Sequence, residues 1–392
     1  MDIFAKCYEF QRAREAIAGG YYPYFIPLSE NEGTEVTFQG HRLIMIGSNN
    51  YLGLTTDPRV KAAAIEATNL YGTSCTGSRF LNGTLALHHE LEQEVADFVG
   101  KEAAMVLSTG FQANLGAVSA LLGRHDIVIL DREDHASIVD GARLGLGQMC
   151  RFRHNDAGHL GKILGEIDPA SGTLVVMEGV YSFSGDIAPL DAIVSQCQAH
   201  GARLILDDAH SIGVLGNGHG TAAQFGLTDQ VDLITGTFSK SLASLGGFVA
   251  GDDQIIHYIK HFARSMIYSA SIPAGNAAAA LTALRILRAE PERVARVNEI
   301  GARMRQGFRA MGYDVGASAT PIIPILLGDD LITLAMWRGL FDAGVFVNPV
   351  LSPAVLPQDS RLRTSFMATH TDEQLDRVLN IFQEVGHSLG VI

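Results

Sequence analysis

Apolar residues along the chain follow two rhythms. Short runs at 104–107, 127–130, 173–177, 204–206, 233–236 and 247–250 have the length and composition of strands. Between them lie segments such as 190–200, where apolar positions recur every three or four residues, the period of a helix with one buried stripe. Strand and helix in alternation predict a large α/β domain with a mostly parallel sheet, whose ligands sit beyond the carboxyl ends of the strands.

Near residue 285 the texture changes to a charged helical stretch at 285–311, followed by apolar strand-like runs at 322–327 and 345–348. These predict a smaller α+β lobe. The first 45 or so residues, with turn-forming residues at 30–33 and alternation at 35–38, are expected to form an arm packed on that lobe. Within the arm, residues 4–18 could form one amphipathic helix, with Phe4, Cys7, Phe10 and Ile17 near a common face laid against the body. The expected division is an arm over 1–48, a large domain over 49–285 and a small domain over 286–392.

At 392 residues the chain is too long for one ordinary core, as two domains require. A net charge of −13 argues against a broad footprint for nucleic acid or anionic lipid, so any phosphate must be held by local geometry. Cys7, Cys75, Cys150 and Cys197 show no CxxC spacing and read as reduced thiols, as in a cytoplasmic protein. Asp2 and Glu9 stand where a secretory signal would carry a basic flank and an apolar core. The uncharged stretch at 266–284 is broken by Pro273, Gly275 and Asn276, a poor match to a membrane span.

Chemistry concentrates where strands end. Leu204-Ile-Leu-Asp-Asp-Ala-His delivers Asp207, Asp208 and His210 at the end of an apolar run. Thr235-Gly-Thr-Phe-Ser-Lys-Ser places Lys240 at another strand end, among hydroxyls and before the Gly246-Gly247 turn. A lysine becomes nucleophilic when desolvation or neighbouring charge lowers its pKa. Paired with a carboxylate able to keep a pyridine nitrogen protonated, Lys240 and Asp207 fit the two anchors of a pyridoxal phosphate site. Either residue alone is more simply a surface cation or a helix cap.

A phosphate ester could rest on the helix start at Ser108, Thr109, Gly110 and Phe111, with hydroxyls from Thr237 and Ser239. His135, after another strand, could stack on a planar ring and donate to a substrate carboxylate, or serve only structure. Arg361 and Arg363 alternate along a strand and share one side; a guanidinium gripping an α-carboxylate is what an amino-acid substrate requires. Gly216-Asn-Gly-His-Gly lacks dinucleotide-loop spacing and reads as a turn. His257 and His261 have metal-pair spacing but no third ligand, and read as one face of an ordinary helix.

Seven motifs in order, Ser48-Asn-Asn-Tyr-Leu-Gly-Leu, Thr76-Gly-Ser-Arg-Phe-Leu-Asn-Gly-Thr, Asp134-His-Ala-Ser, Glu178-Gly-Val-Tyr-Ser, Asp207-Asp-Ala-His, Gly236-Thr-Phe-Ser-Lys and Arg361-Leu-Arg, resemble the α-oxoamine synthases over almost the whole chain. That family has the fold-type I pyridoxal phosphate architecture: a mostly parallel seven-stranded sheet, a smaller α+β domain and an N-terminal arm. Its members condense an amino acid with an acyl-CoA and lose CO2.

Within the family, the segments beginning at Phe80, Gly236 and Val345 are most similar to bacterial members that join L-serine to a long-chain acyl-CoA. Members using glycine or alanine, of the 2-amino-3-ketobutyrate CoA ligase or 8-amino-7-oxononanoate synthase type, are the alternative; an ordinary aminotransferase and a non-catalytic partner subunit are further ones. The resemblance implies that His135 stacks on the cofactor ring, Ser182 neighbours its hydroxyl, Asp207 pairs with its nitrogen, His210 bonds its phenolic oxygen, Thr237 supports its phosphate and Lys240 carries it covalently. It implies a homodimer with shared sites, in which Asn50 faces substrate and Ser269 reaches the partner's phosphate. It also implies a cytoplasmic enzyme that can touch the inner membrane surface. Some relatives carry an arginine where Leu351 stands here, leaving the carboxylate to Arg363 with His135.

Overall fold

The computed structural model describes residues 2–392. Strands β1 (Glu30–Asn31), β2 (Glu35–Phe38) and β3 (His41–Met45) form an antiparallel ribbon near the N-terminus. The central sheet is built from β4 (Ala103–Leu107), β5 (Ile127–Asp131), β6 (Gln148–Phe152), β7 (Thr173–Glu178), β8 (Arg203–Asp207), β9 (Leu233–Thr237) and β10 (Gly247–Gly251). Its order is β4-β10-β9-β8-β7-β5-β6, with β10 antiparallel to both neighbours and all other pairs parallel.

Both faces of this sheet are covered, which is why its inner strands read as unbroken apolar runs. Val106, Ile129, Val175, Leu204 and Ile234 pack into one core layer, and Met105, Val128, Val176, Ile205 and Leu233 into the other. Each strand extends the expected run by a residue or two, and β6 is a seventh that the pattern did not signal. It lies at the sheet edge with Gln148, Met149 and Arg151 exposed, so burial never imposed an apolar run on it.

The C-terminal lobe contains β11 (Ile322–Leu326), β12 (Val345–Phe346), β13 (Asn348–Val350) and β14 (Arg361–Ser365). The expected single run at 345–348 is two strands serving two sheets: β12 pairs with β3, and β13 with β14. Through that first pairing the N-terminal ribbon becomes part of the lobe, and Val36, Leu43 and Ile44 share a core with Met304, Trp337, Phe366 and Phe382.

Two expectations change. The charged stretch at 285–311 is not one helix: helix Ala274–Ala289 runs through residue 285, and a new helix, Glu292–Ala310, starts after Pro291. Proline's fixed φ and missing N–H suit a helix start, so the joint falls at Glu290-Pro291. The amphipathic segment at 4–18 is likewise two short helices, Ala5–Glu9 and Arg12–Ala18, parted by an extended Phe10, and neither buries a residue. Its apolar stripe finds no complementary surface on its own chain, and Phe4, Tyr8, Phe10 and Ile17 remain exposed. Among the described residues no helix is long and apolar enough to cross a membrane.

Candidate active site

Register creates the site. Glu178 pairs with Asp207 across β7 and β8, and Asp207 with Thr235 across β8 and β9. Residues directly opposite in neighbouring strands point to one face, so these three side chains form a row at the carboxyl ends of the sheet. Asn114, on helix Gly110–Leu121, spans the row: its Nδ2 donates to Asp207 Oδ2 at 2.6 Å and to Ser137 Oγ at 2.9 Å, and its Oδ1 accepts from Thr235 Oγ1 at 2.7 Å. The other Asp207 oxygen accepts from the Ala209 N–H at 2.9 Å. Both carboxylate oxygens of Asp207 are thereby engaged, which holds the side chain in a single orientation.

Lys240 lies in the turn after β9. Burial, opposed by the carboxylates of Asp207 and Glu178, brings its ammonium down to about 8. Glu178 shifts the other way: burial and the Asp207 charge raise its carboxyl well above the usual range, while its oxygen accepts the His135 N–H at 2.7 Å.

The two cleft histidines are neutral and oriented alike. Burial lowers His135, and its Nδ1 accepts the Ser137 N–H at 3.2 Å. Burial lowers His210 well below its ordinary value, and its Nδ1 lies 2.7 Å from Tyr51 Oη. Burial raises the Tyr51 phenol, so Tyr51 is the donor. In both rings Nδ1 is the acceptor, leaving Nε2–H free to donate. Asp208, beside Asp207, turns away and accepts from Ser211 Oγ and the Thr221 N–H, holding the strand-end turn.

Arg363, on β14, reaches this cleft from the small lobe. Its Nε donates to the Ser182 carbonyl at 2.7 Å, and Nη2 donates to Asn49 Oδ1 at 2.8 Å and, more weakly, to Tyr51 Oη at 3.4 Å. Asn49 is therefore the amide of its pair that meets the guanidinium. Asn50, expected to face substrate, is buried with its Nδ2 donating to Thr55 Oγ1 at 2.8 Å, a local bond that stabilises the turn after β3. Arg361, two residues earlier on the same side, is only half-buried and lines an adjoining cavity.

The phosphate cradle comes from the start of helix Gly110–Leu121. Thr109 caps it by accepting the Gln112 N–H at 3.1 Å, and the first N–H groups, at Gly110 and Phe111, have no carbonyl one turn back to bond. A Cβ at Gly110 would press on the Thr237 side chain, and one at Gly247 would strike the Gly110 backbone, so this approach needs both glycines. Thr237 Oγ1 lies 2.8 Å from Ser239 Oγ, a pair of hydroxyls at the same spot. Ser108 Oγ donates to the Ala270 carbonyl, and Ser269 Oγ accepts from Gln112 Nε2 at 2.8 Å, so Ser269 stands by its own chain's cradle. The donor set fits pyridoxal phosphate: amides and hydroxyls for the ester, Asp207 for the ring nitrogen, an Nε2–H from His210 for the phenolic oxygen, and Lys240 for the aldehyde.

Beside His135 and Ser182 opens a cavity of about 880 Å³. Val139, Phe183, Pro353, Val355 and Leu356 give it apolar walls; its rim mixes Arg132, Arg143, Arg153 and Arg361 with the carboxylates of Glu133, Asp140 and Asp359, and Arg143 and Arg153 are ion-paired to Asp140 and Asp156.

Asn114, Asn49, Tyr51, Arg132, Arg143 and Arg153 were not assigned a role from the sequence. Asn49 and Tyr51 lie within the motif that begins at Ser48, and Asn114 is an amide on a helical stripe that also buries Ala113, Ala117 and Val118, but nothing in the sequence told their partners.

The sequence profile of the Aminotransferase class I and II family matches residues 41–382. The serine palmitoyltransferase of Sphingobacterium spiritivorum is 47% identical over 380 residues, covering 96% of this chain and 95% of the relative. A solved structure of Sphingomonas wittichii serine palmitoyltransferase superposes with a TM-score of 0.97 at 39% identity, covering 100% of both chains. A high-resolution structure of SPT with PLP internal aldimine gives 0.96 at 38% identity, again covering 100% of both. The chain thus belongs to the class I and II aminotransferase family, with the fold-type I architecture and in the α-oxoamine synthase group that includes the serine palmitoyltransferases.

Proposed function

We propose that this chain is a pyridoxal phosphate-dependent acyltransferase that condenses L-serine with a long-chain acyl-CoA such as palmitoyl-CoA, yielding 3-oxosphinganine, CoA and CO2, the entry step of sphingolipid synthesis. One observation carries the reading: Arg363 and His135 converge beside Lys240 and Asp207, next to a cavity with apolar walls and arginines. An amino-acid carboxylate and an acyl thioester both find their chemistry there, whereas an aminotransferase has no use for the cavity.

Bound in this cleft, pyridoxal phosphate supplies the electron sink that lets an amino-acid Cα carry negative charge. Asp207, fixed by Asn114, holds a proton at the ring nitrogen. Arg363 and the Nε2–H of His135 grip the serine carboxylate, and His210 donates its Nε2–H to an anionic oxygen. Lys240, poised near neutral pH, takes the proton from Cα as general base and returns one after CO2 leaves. The new C–C bond forms between Cα and the acyl carbonyl carbon as the C–S bond breaks and CoA departs. Arg132 and Arg361 at the cavity suit the phosphates of CoA, and its apolar walls suit the acyl chain.

The reading includes a homodimer. Phe80, Leu81, Phe111 and Tyr268 are exposed on segments that meet around Ser108, Gly77 and Ser271, an apolar surface at the cradle suited to a second copy. It also includes a cytoplasmic location with peripheral membrane contact, where long-chain acyl-CoA partitions. A panel of serine, glycine and alanine against acyl-CoAs of rising length, scored by free thiol released, tests the assignment. Serine with a long chain should lead; glycine or alanine with short chains leading would move the protein to another branch of the group.

A further inference from the structure

Residues 154 and 155 belong to none of the motifs above, yet, half-buried, they clamp two buried carboxylates. His154 Nδ1 lies 2.9 Å from Asp131 Oδ1, and Nε2 lies 2.9 Å from Asp186 Oδ2. Carboxylate oxygens only accept, so both ring nitrogens donate and the ring is an imidazolium. Asn155 doubles the clamp: its N–H donates to Asp131 Oδ2 at 2.9 Å and its Nδ2 to Asp186 Oδ2 at 2.7 Å. Asp131 ends β5, and both carboxylates are buried. The Tyr181 ring meets the imidazolium edge-on, with centroids 4.4 Å apart.

Asp186 closes a tight turn. The Tyr181 N–H donates to the Asp186 carbonyl at 3.3 Å, the Gly185 N–H to the Tyr181 carbonyl at 2.9 Å, and Ser184 Oγ to the Asp186 carboxylate. Two elements of the small lobe rest on this turn. The Gly185 carbonyl accepts from the Ala319 N–H at 3.1 Å and from Thr320 Oγ1 at 3.0 Å, and the Ser182 carbonyl accepts from Arg363 Nε at 2.7 Å. A Cβ at Gly185, where φ is +67°, would collide with the Ile322 carbonyl.

We propose that His154 is a positioning residue for substrate-carboxylate recognition: by tying Asp186 to Asp131 it fixes the one turn that both seats the small lobe on the large domain and holds Arg363 in place. Arg363 comes from one lobe and Lys240 from the other, so this joint, with the Asn49 and Tyr51 contacts to the guanidinium, governs the separation of carboxylate anchor and general base. The inference rests on the assignment of Arg363 as the carboxylate anchor.

Two variants, His154→Ala and Asp186→Asn, are compared with wild type in the holoenzyme. An anchor displaced without loss of the chemistry raises the serine KM while leaving kcat nearly unchanged. We expect KM to rise about tenfold, with kcat within about threefold, on the scale of a supporting contact that shifts a substrate-binding group. Cofactor affinity should stay at the wild-type value. Serine KM unchanged in both variants, or KM and cofactor affinity failing together as a general loss of structure would make them, overturns the proposal; if His154→Ala does not fold, Asp186→Asn decides. Amide exchange reads the joint without substrate. Faster exchange confined to 181–187 and 318–322 supports the clamp, and unchanged exchange there overturns it even if serine proves not to be the substrate.

Discussion

At Lys240 the amine gives up its proton near pH 8, because burial outweighs the two carboxylates that would keep it charged. The cofactor-free protein should therefore bind pyridoxal phosphate at a rate that rises with pH through a midpoint near 8. A solvated lysine would put that midpoint near ~10.4. Stopped-flow absorbance reads the difference, and a midpoint above about 10 would contradict the buried environment. Asn114→Ala should leave Asp207 and the Thr235 hydroxyl without their shared partner, a loss of about 1–3 kcal/mol in denaturant unfolding together with weaker cofactor binding. Asp207 was conspicuous in the sequence as a charge ending an apolar run, Lys240 as a lysine among hydroxyls just past another, and Arg363 by its alternation with Arg361 along a strand. Asn114 and Asn49 were not, since an amide acquires a role only through what lies across from it in space.

Among the elements, the His154 clamp carries a pH signature. Its ring faces Asp131, Asp186 and, at 3.8 Å, Glu133, and although burial alone would lower it, the bonds to Asp131 and Asp186 raise it to about 10. In the unfolded chain a histidine titrates near ~6.5. A folded-state value above the unfolded one means that the contribution to stability is complete below the unfolded value and lost as pH rises through about 10. The difference in denaturation midpoint between wild type and His154→Ala should thus be greatest in mildly acidic buffer and shrink steadily toward pH 10. A difference that grows with pH would reverse the sign and contradict an imidazolium. The inner strands were readable from sequence because both of their faces are buried. The edge strand β6 was not, and neither was the sharing of 345–348 between two sheets, because residues that far from the large core carry mixed burial.

At the scale of the molecule, the apolar side chains around the cradle and on the N-terminal helices predict a dimer. Sedimentation or light scattering should return twice 42.0 kDa, and Phe80→Asp combined with Leu81→Asp should shift the protein toward monomer while weakening cofactor retention. A monomeric wild type at micromolar concentration would contradict shared sites. The α/β body with its seven-stranded sheet could be anticipated from the alternation of strands and helices together with the motifs, which also carried the cofactor chemistry, whereas the change of texture near residue 285 falls inside helix Ala274–Ala289. The incorporation of β1, β2 and β3 into the lobe through a single two-residue pairing with β12 left no pattern long enough to read.

The balance of the condensation can be measured directly. Purified holoenzyme given carboxyl-labelled L-serine and palmitoyl-CoA should release labelled CO2, free CoA and 3-oxosphinganine in equal amounts, with none of the three formed by Lys240→Ala. Release of CoA without labelled CO2, or a keto acid formed from serine with no CoA released, would contradict it.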